Sequence, residues 1–119
     1  MCYLGAVIQL IECVNERGVA PFEQWRESLD RSIKAKVILA IYRLAQGNFS
    51  ASKGVGGIFE LRLNFGPGYR VYFGKDGEEI ILLLGGGTKK RQQQDIDDAK
   101  LLWKAYKAAK AISLKKGNK

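Results

Sequence analysis

Alternating apolar and polar positions predict a β-strand in the middle of the chain. Every second residue from Phe59 to Phe65 is apolar, whereas Glu60, Arg62 and Asn64 occupy the positions between them. In a strand, residues two apart point to the same face of the sheet. The pattern therefore predicts a strand with one apolar face and one face that carries an arginine.

A second strand follows a Gly-Pro-Gly segment. Its apolar residues at 69, 71 and 73 alternate with Arg70 and Tyr72. A three-residue loop would keep both apolar rows on one face and would place Asn64 opposite Arg70 and Arg62 opposite Tyr72. We therefore predict a hairpin whose polar face holds two guanidinium groups and a phenol.

The apolar run that comes next predicts a third strand of the same sheet. Asp-Gly at positions 76–77 favours a two-residue hairpin turn, which would pair Val71 with Leu82. Leu83 would then lie beside Arg70 on the polar face. An arginine flanked by aliphatic side chains on an inner strand is partly desolvated, so we expect its guanidinium group to have an ion-pair partner or a functional role.

The segments around this meander predict the remaining elements. An apolar, partly β-branched segment up to about Val14 indicates a buried strand. Pro21 favours the start of a helix, and Asp30 can cap a second helix that ends near Gly47. A last amphipathic helix begins at about Asp95. Together the patterns predict an α+β fold: a mainly antiparallel four-stranded sheet with an N-terminal strand, a helical hairpin on one face and a C-terminal helix.

Length and composition indicate one globular domain. The 119 residues, of which 46% are hydrophobic and 27% charged, fit a single domain over 1–119, with a disordered tail at about 112–119. The longest apolar run, Ile80–Leu84, is too short to span a bilayer, and the first residues lack the basic flank and cleavage site of a secretory signal. We expect a cytoplasmic protein with no membrane partner.

The charge is more informative than the composition. The net charge is +8, and the excess lies in the second half: residues 61–119 carry thirteen bases and six acids, against seven and six in residues 1–60. Such an excess indicates a polyanionic partner, and nucleic acid is the first candidate; an anionic membrane, an acidic protein and solubility alone are the alternatives. With no histidine and only two cysteines, we expect neither a metal site nor histidine catalysis.

Two sets of residues are candidates for phosphate binding. Arg62 and Arg70 share one face, and guanidinium groups match phosphate oxygens in pairs; the structural alternative is an internal ion pair with an acid such as Glu60. The three glycines at 85–87 and the bases at 89–91 resemble a phosphate loop but lack the Walker spacing. A solvated basic turn without a ligand is an equally good interpretation of that segment.

The order of elements and the motifs ELRLNFGPGYRVYF and LLLGGGTKKRQQQDIDDAK resemble the RelE/ParE superfamily of toxins from type II toxin–antitoxin modules. Within it, the ELR, GPGYRVYF and GG-x-K motifs are similar to those of HigB-like, phage-derived addiction module killer proteins, over residues 22–109. RelE-like toxins are small cytoplasmic endoribonucleases that cut mRNA, usually on the ribosome. The resemblance implies a RelE-like fold and a metal-independent mRNA endoribonuclease without a cofactor, which inhibits translation.

The resemblance also implies roles for individual residues. Arg62 matches the sheet arginine that holds the scissile phosphate, Lys89 falls where RelE toxins have a transition-state arginine, and Arg70 belongs to the GPGYR motif. Asp95 stands where RelE has a catalytic tyrosine, which makes it the candidate base. Further candidates for binding RNA or phosphate are Lys53, Asn64, Tyr72, Lys90, Arg91 and Gln92. For Tyr72 the alternatives are stacking on a base and packing beneath the last helix.

The expected partners follow from the same resemblance. They are mRNA, on the ribosome, and a cognate antitoxin protein in a hetero-oligomeric complex. Two other functions remain open: a ParE-like protein that poisons DNA gyrase, for which the helical hairpin would matter more than Arg62, and a nucleic-acid-binding module without catalysis.

Overall fold

A computed structural model of the chain describes residues 8–117, with side chains up to residue 114. Within this range the elements in chain order are β1 (Gln9–Glu12), α1 (Pro21–Glu27), α2 (Arg31–Ala45), β2 (Ser52–Gly54), β3 (Phe59–Leu63), β4 (Tyr69–Asp76), β5 (Ile80–Gly87), a 3-10 turn (Lys89–Arg91) and α3 (Gln92–Gly117). The strands form one sheet in the order β1-β5-β4-β3-β2, in which β1 is parallel to β5 and the other pairs are antiparallel.

The predicted α+β fold is confirmed, but the sheet has five strands where four were expected. The additional strand is β2, which pairs with β3 through Ser52–Leu61, Lys53–Glu60 and Gly54–Phe59. Its three residues contain no apolar alternation, so the pattern predicts a loop there. The first residues of the predicted N-terminal strand lie outside the described part of the chain.

Both faces of the sheet are covered, which gives a three-layered structure. The hairpin of α1 and α2 packs on one face around a first core cluster that contains Phe22, Val37, Leu44 and Phe73. Helix α3 packs on the other face around a second cluster. Strand β5 is buried on both sides, as its unbroken apolar run suggests.

The helices begin where the sequence predicts or close to it. Helix α1 starts at Pro21, and Asp30 occupies the cap position of α2, although its side chain makes no capping hydrogen bond. Helix α3 starts at Gln92, one turn before the predicted Asp95, and continues to Gly117. Residues 112–117 of the predicted disordered tail are therefore helical here, and the last two residues lie outside the described range.

The predicted register of the β3–β4 hairpin is wrong by two residues. Arg62 pairs with Arg70 and Leu63 with Tyr69, so the loop has five residues instead of three. The glycines on either side of Pro67 both have positive φ, +57° and +80°, and this freedom allows a wider turn that also includes residues 64 and 65. The even shift preserves both faces and brings the two arginines directly opposite each other.

The predicted pairing of β4 with β5 is also wrong, and here the faces of β5 are exchanged. Tyr72 pairs with Gly85 and Phe73 with Leu83, with an irregularity between the two pairs, and the turn residues 77–79 are three instead of two. Leu83 therefore joins the first core cluster, whereas Leu82 lies in the second. In consequence Arg70 lies opposite Gly87 and not beside Leu83.

Candidate functional site

A buried carboxylate occupies the centre of the polar region of the sheet. Glu60 on β3 is fully buried, directly opposite Tyr72 on β4. Burying an ionised carboxylate is costly unless it is paired. Arg70 Nε lies 2.7 Å from Glu60 Oε1 as an ion pair without hydrogen-bond alignment, and Gln92 Nε2 donates a hydrogen bond of 2.7 Å to the same oxygen.

Two more cations approach the other oxygen of this carboxylate. Lys53 Nζ lies 3.7 Å and Arg62 Nε 3.9 Å from Glu60 Oε2, which accepts no hydrogen bond within the described residues. We call Lys53, Glu60, Arg62, Arg70 and Gln92 the Glu60 cluster. Its three bases and one acid leave a local excess of two positive charges.

The three bases of the Glu60 cluster differ in exposure. The side chains of Lys53 and Arg62 are 52% and 45% exposed, whereas that of Arg70 is 9% exposed. Arg70 also donates from Nη1 to the carbonyl oxygen of Gly68 at 2.7 Å. An anion arriving from solvent therefore meets Lys53 and Arg62, and Arg70 compensates the buried carboxylate behind them.

Tyr72 is fully buried in the second core cluster. In this position it packs beneath α3 and offers no surface on which a base could stack. Its hydroxyl has no hydrogen-bond partner in the part of the chain that the structure describes. Burial raises the pKa of Tyr72, and the charges of Glu60 and Asp95 raise it further against the opposing arginines. The phenol therefore stays protonated and is a poor general base.

Asp95 lies in the first turn of α3, with its carboxylate against the backbone of Gly87. Gly87 is the ladder partner of Arg70, so Asp95 stands next to the Glu60 cluster. Partial burial raises the pKa of Asp95, the charge of Arg91 lowers it and that of Asp98 raises it. A carboxylate with raised proton affinity is a better proton acceptor.

Of the remaining predicted residues, four lie on the surface around these groups and one is turned inward. Lys89, Lys90 and Arg91 form the exposed 3-10 turn that leads into α3. Gln92 makes the internal hydrogen bond to Glu60 instead of facing solvent. Asn64 is exposed just beyond the end of β3.

Sequence reasoning missed three residues of this region. The sequence indicates Glu60 only as one of several partners for an arginine. Its place between Lys53, Arg62 and Arg70 depends on the register and on β2, which the pattern does not reveal. Lys36 and Arg43 of α2 line a groove together with Arg62. Their spacing of seven residues, two turns of a helix, is the signal that places them on one face.

Fold and charge define a class: a small α+β protein with a basic surface over a buried acid at one side of its sheet. The chain belongs to the Gp49-like family of phage-derived proteins (DUF891), whose model matches residues 24–116. This family is part of the RelE/HigB-like superfamily of toxins from toxin–antitoxin modules. Membership confirms the toxin superfamily inferred from the motifs.

The chain is also similar to an uncharacterized protein of Haemophilus influenzae, strain Rd. The two are 46% identical over 83 residues, which cover 68% of this chain and 84% of the relative. No solved structure matches the chain. Within residues 8–117, no helix is long and apolar enough to cross a membrane.

Proposed function

We propose that this protein is a HigB-like toxin of a type II toxin–antitoxin module and acts as a metal-independent mRNA endoribonuclease on the ribosome. The family is one of toxins. The observation that carries the proposal is the pair of half-exposed cations, Lys53 and Arg62, held next to a buried carboxylate. Such a pair presents positive charge to a phosphate in a fixed position, where it costs little reorganisation.

RNA carries its own nucleophile, so the required chemistry is limited. The 2′-hydroxyl loses a proton and its oxygen attacks the adjacent phosphorus; the bond from phosphorus to the 5′-oxygen breaks, and that oxygen takes up a proton. The products are a 2′,3′-cyclic phosphate and a free 5′-hydroxyl. The enzyme needs to align the groups, accept and donate one proton, and offset the extra negative charge on the phosphate.

The residues of the site suit these tasks. Arg62 and Lys53 would bind the scissile phosphate, and Lys89 would add charge from the 3-10 turn. Asp95 would accept the proton of the 2′-hydroxyl, because its raised pKa and its place beside Gly87 favour that role. Arg70, Glu60 and Gln92 are positioning residues, since their contacts are internal. Lys90, Arg91 and Asn64 would contact the RNA backbone on either side.

The partners follow from the family. A toxin of this kind has an antitoxin partner. We propose that the antitoxin forms a hetero-oligomer with this chain, that mRNA on the ribosome is the substrate, and that both encounters take place in the cytoplasm. An enzyme that relies on the ribosome to order its substrate would cut naked RNA weakly.

Poisoning of DNA gyrase is the second candidate. It is favoured by three apolar side chains of α2, Ile38, Leu39 and Tyr42, which are 51%, 49% and 59% exposed. Such a surface suits a protein partner. A gyrase poison would depend on this surface and not on Arg62.

Induced expression separates these functions. Mapping of mRNA 5′ ends should show new cuts with a codon-linked pattern, and Arg62→Ala should abolish both the cuts and growth arrest. An SOS response with intact transcripts would instead support the gyrase poison. Growth arrest with neither cuts nor an SOS response would support binding without catalysis.

A further inference from the structure

A groove lies beside the Glu60 cluster, on the side of the sheet edge that faces α2. Its volume is about 430 Å³, and it is bounded by α2, the loop of residues 48–51 and the end of β3 with the residues that follow. Strand β2 begins opposite Leu61, and the backbone N–H of Arg62 donates to the carbonyl oxygen of Ala51 at 3.1 Å, so the groove lies at the end of β3 next to the residues that lead into β2. The walls of the groove are therefore the loop before β2 and the side chains of α2 and β3.

Positive charge is a second feature of this groove. Lys36, Arg43 and Arg62 are among its lining residues, which include no aspartate or glutamate. Among the side chains that the structure describes, neither Lys36 nor Arg43 has an ion-pair partner, whereas Lys34 on the same helix is paired with Glu27 at 3.1 Å. Two of the three groove cations, Lys36 and Arg43, therefore have no counter-ion among the described side chains, which favours an anionic ligand.

The groove also has an apolar component. Leu39, Leu61 and Phe65 line it, and Lys36 Nζ lies 4.5 Å from the centre of the Phe65 ring. Three polar residues, Asn48, Ser50 and Asn64, also line the groove, and the Ser50 hydroxyl donates to Asn48 Oδ1 at 2.7 Å. Cations, apolar surface and a few polar groups in a space of this size suit one nucleotide, with its phosphate on the cations and its base on the apolar wall.

Arg62 links the groove to the candidate catalytic site. It lines the groove and its Nε lies 3.9 Å from Glu60 Oε2. A single strand whose scissile phosphate lies at Lys53 and Arg62 therefore has its neighbouring nucleotide within reach of the groove.

We propose that the groove binds the nucleotide adjacent to the scissile phosphate of a single-stranded RNA, with Lys36 and Arg43 on its phosphate. This inference rests on the proposed function, which supplies the RNA. The continuity through Arg62 favours RNA over an acidic segment of a protein, because a strand bound at Arg62 continues directly into the groove.

Binding of an uncleavable single-stranded oligonucleotide, with 2′-deoxyribose at every position, tests the proposal by fluorescence anisotropy. The double variant K36A/R43A should lower affinity about tenfold or more at low salt. The matched control R31A/K34A removes the same charge from α2 outside the groove and should lower affinity far less. Equal losses in the two variants would show a general charge effect and overturn the proposal.

A second variant tests the groove without changing charge. Ala51 is exposed and lines the groove, so Ala51→Trp should fill it and weaken oligonucleotide binding, with the thermal unfolding midpoint preserved. Titration of the wild-type protein with 5′-AMP should shift the backbone amide signals of residues 39, 50 and 63 in NMR spectra. Normal oligonucleotide binding by Ala51→Trp, or AMP shifts confined to other residues, would overturn the proposal.

The outcomes separate the groove from the proposed function. If Arg62→Ala abolishes cleavage while K36A/R43A binds and cuts RNA normally, the nuclease stands and the groove proposal is wrong. If the wild type cuts no RNA, whether free or on the ribosome, but binds the oligonucleotide through the groove, the nuclease is wrong and the groove stands as a site for one nucleotide of a single strand. Normal RNA binding by K36A/R43A together with loss of antitoxin co-purification would assign the groove to the antitoxin and overturn the proposal.

Discussion

Arg62 and Arg70 lie directly opposite each other on neighbouring strands, and both lie near the carboxylate of Glu60, but only Arg62 is exposed to solvent. Two arginines at paired positions of neighbouring strands therefore have different tasks. Arg70 neutralises a buried charge, and Arg62 is free to meet a ligand. This division of tasks leads to distinct predictions for the two arginines.

Replacement of Arg62 should affect function and leave the fold intact. Arg62→Ala is expected to lower RNA cleavage about 100-fold or more, since it removes a fixed charge from the phosphate site. Arg62→Lys should retain part of the activity, because the charge remains but the bidentate geometry is lost. Single-turnover cleavage assays and thermal unfolding of the purified variants measure both effects. Normal cleavage by Arg62→Ala would contradict the proposed site.

Replacement of Arg70 should affect the fold instead. Arg70→Ala leaves Glu60 buried without its closest cation and should lower the free energy of unfolding by roughly 3–5 kcal/mol. The double variant E60L/R70M removes both charges and should recover much of that loss. Urea unfolding of the three proteins tests this. Loss of stability in the double variant equal to that in Arg70→Ala would show that the pair itself is not responsible.

Gly87 should be required for the position of Asp95. A β-carbon at Gly87 would collide with the Asp95 carboxylate, whereas one at Gly85 on the same strand meets nothing within 4 Å. Gly87→Ala should therefore reduce cleavage and lower the free energy of unfolding by about 1–3 kcal/mol. Gly85→Ala is the matched control and should change neither by a comparable amount. Similar behaviour of the two variants would contradict the close approach of Asp95.

The pH dependence of stability should reveal the burial of Asp95. Because its pKa is raised above the ordinary 3.8 in the folded state, its contribution to stability is fully present below pH 3.8 and is lost as the pH rises through the raised value. Asp95→Asn should therefore unfold at a higher urea concentration than the wild type at pH 7, with the difference shrinking towards pH 3.8. A constant difference over this range would contradict the burial.

Protonation of Asp95 should stabilise the fold but should lower the rate of RNA cleavage. A general base must be ionised, so cleavage of a short oligoribonucleotide should fall as the pH decreases through the raised pKa of Asp95. Asp95→Asn should cut at least about 100-fold more slowly and should lose this acidic limb. If Asp95→Asn cuts at the wild-type rate, another group is the base.

The sequence predicts the faces of β3 and β4 and the helical layer correctly, because burial on one side leaves a clear period in the residues. It does not predict the register of either hairpin. The Gly-Pro-Gly segment suits loops of more than one length, and here the loop has five residues. In the next hairpin Asp76 is the last paired residue of β4, so the turn consists of residues 77–79 and not of the Asp-Gly pair at 76–77. Local turn preference is weaker than the packing of Leu83 and Phe73 in the core.

The candidate site could be predicted only in part. Alternation places Glu60, Arg62 and Arg70 on one face. It does not show how deeply each side chain is buried, so the sequence does not distinguish the buried arginine from the exposed one. Tyr72 has the same limitation: its position in the alternation is right, yet α3 covers it. The groove needs a helix and a strand edge that are distant in the chain, and no local pattern indicates their contact.

The hydrogen bond from Gln92 to Glu60 joins residues 32 positions apart. Strand β3 is synthesised before α3, so a nascent chain carries Lys53 and Arg62 before it carries Gln92 or Asp95. The complete arrangement forms only after the first turn of α3 has left the ribosomal tunnel and reached the sheet. A chain terminated before that turn holds Lys53, Glu60 and Arg62 without Gln92 or Asp95, so translation completes the Glu60 cluster only when the last helix is made.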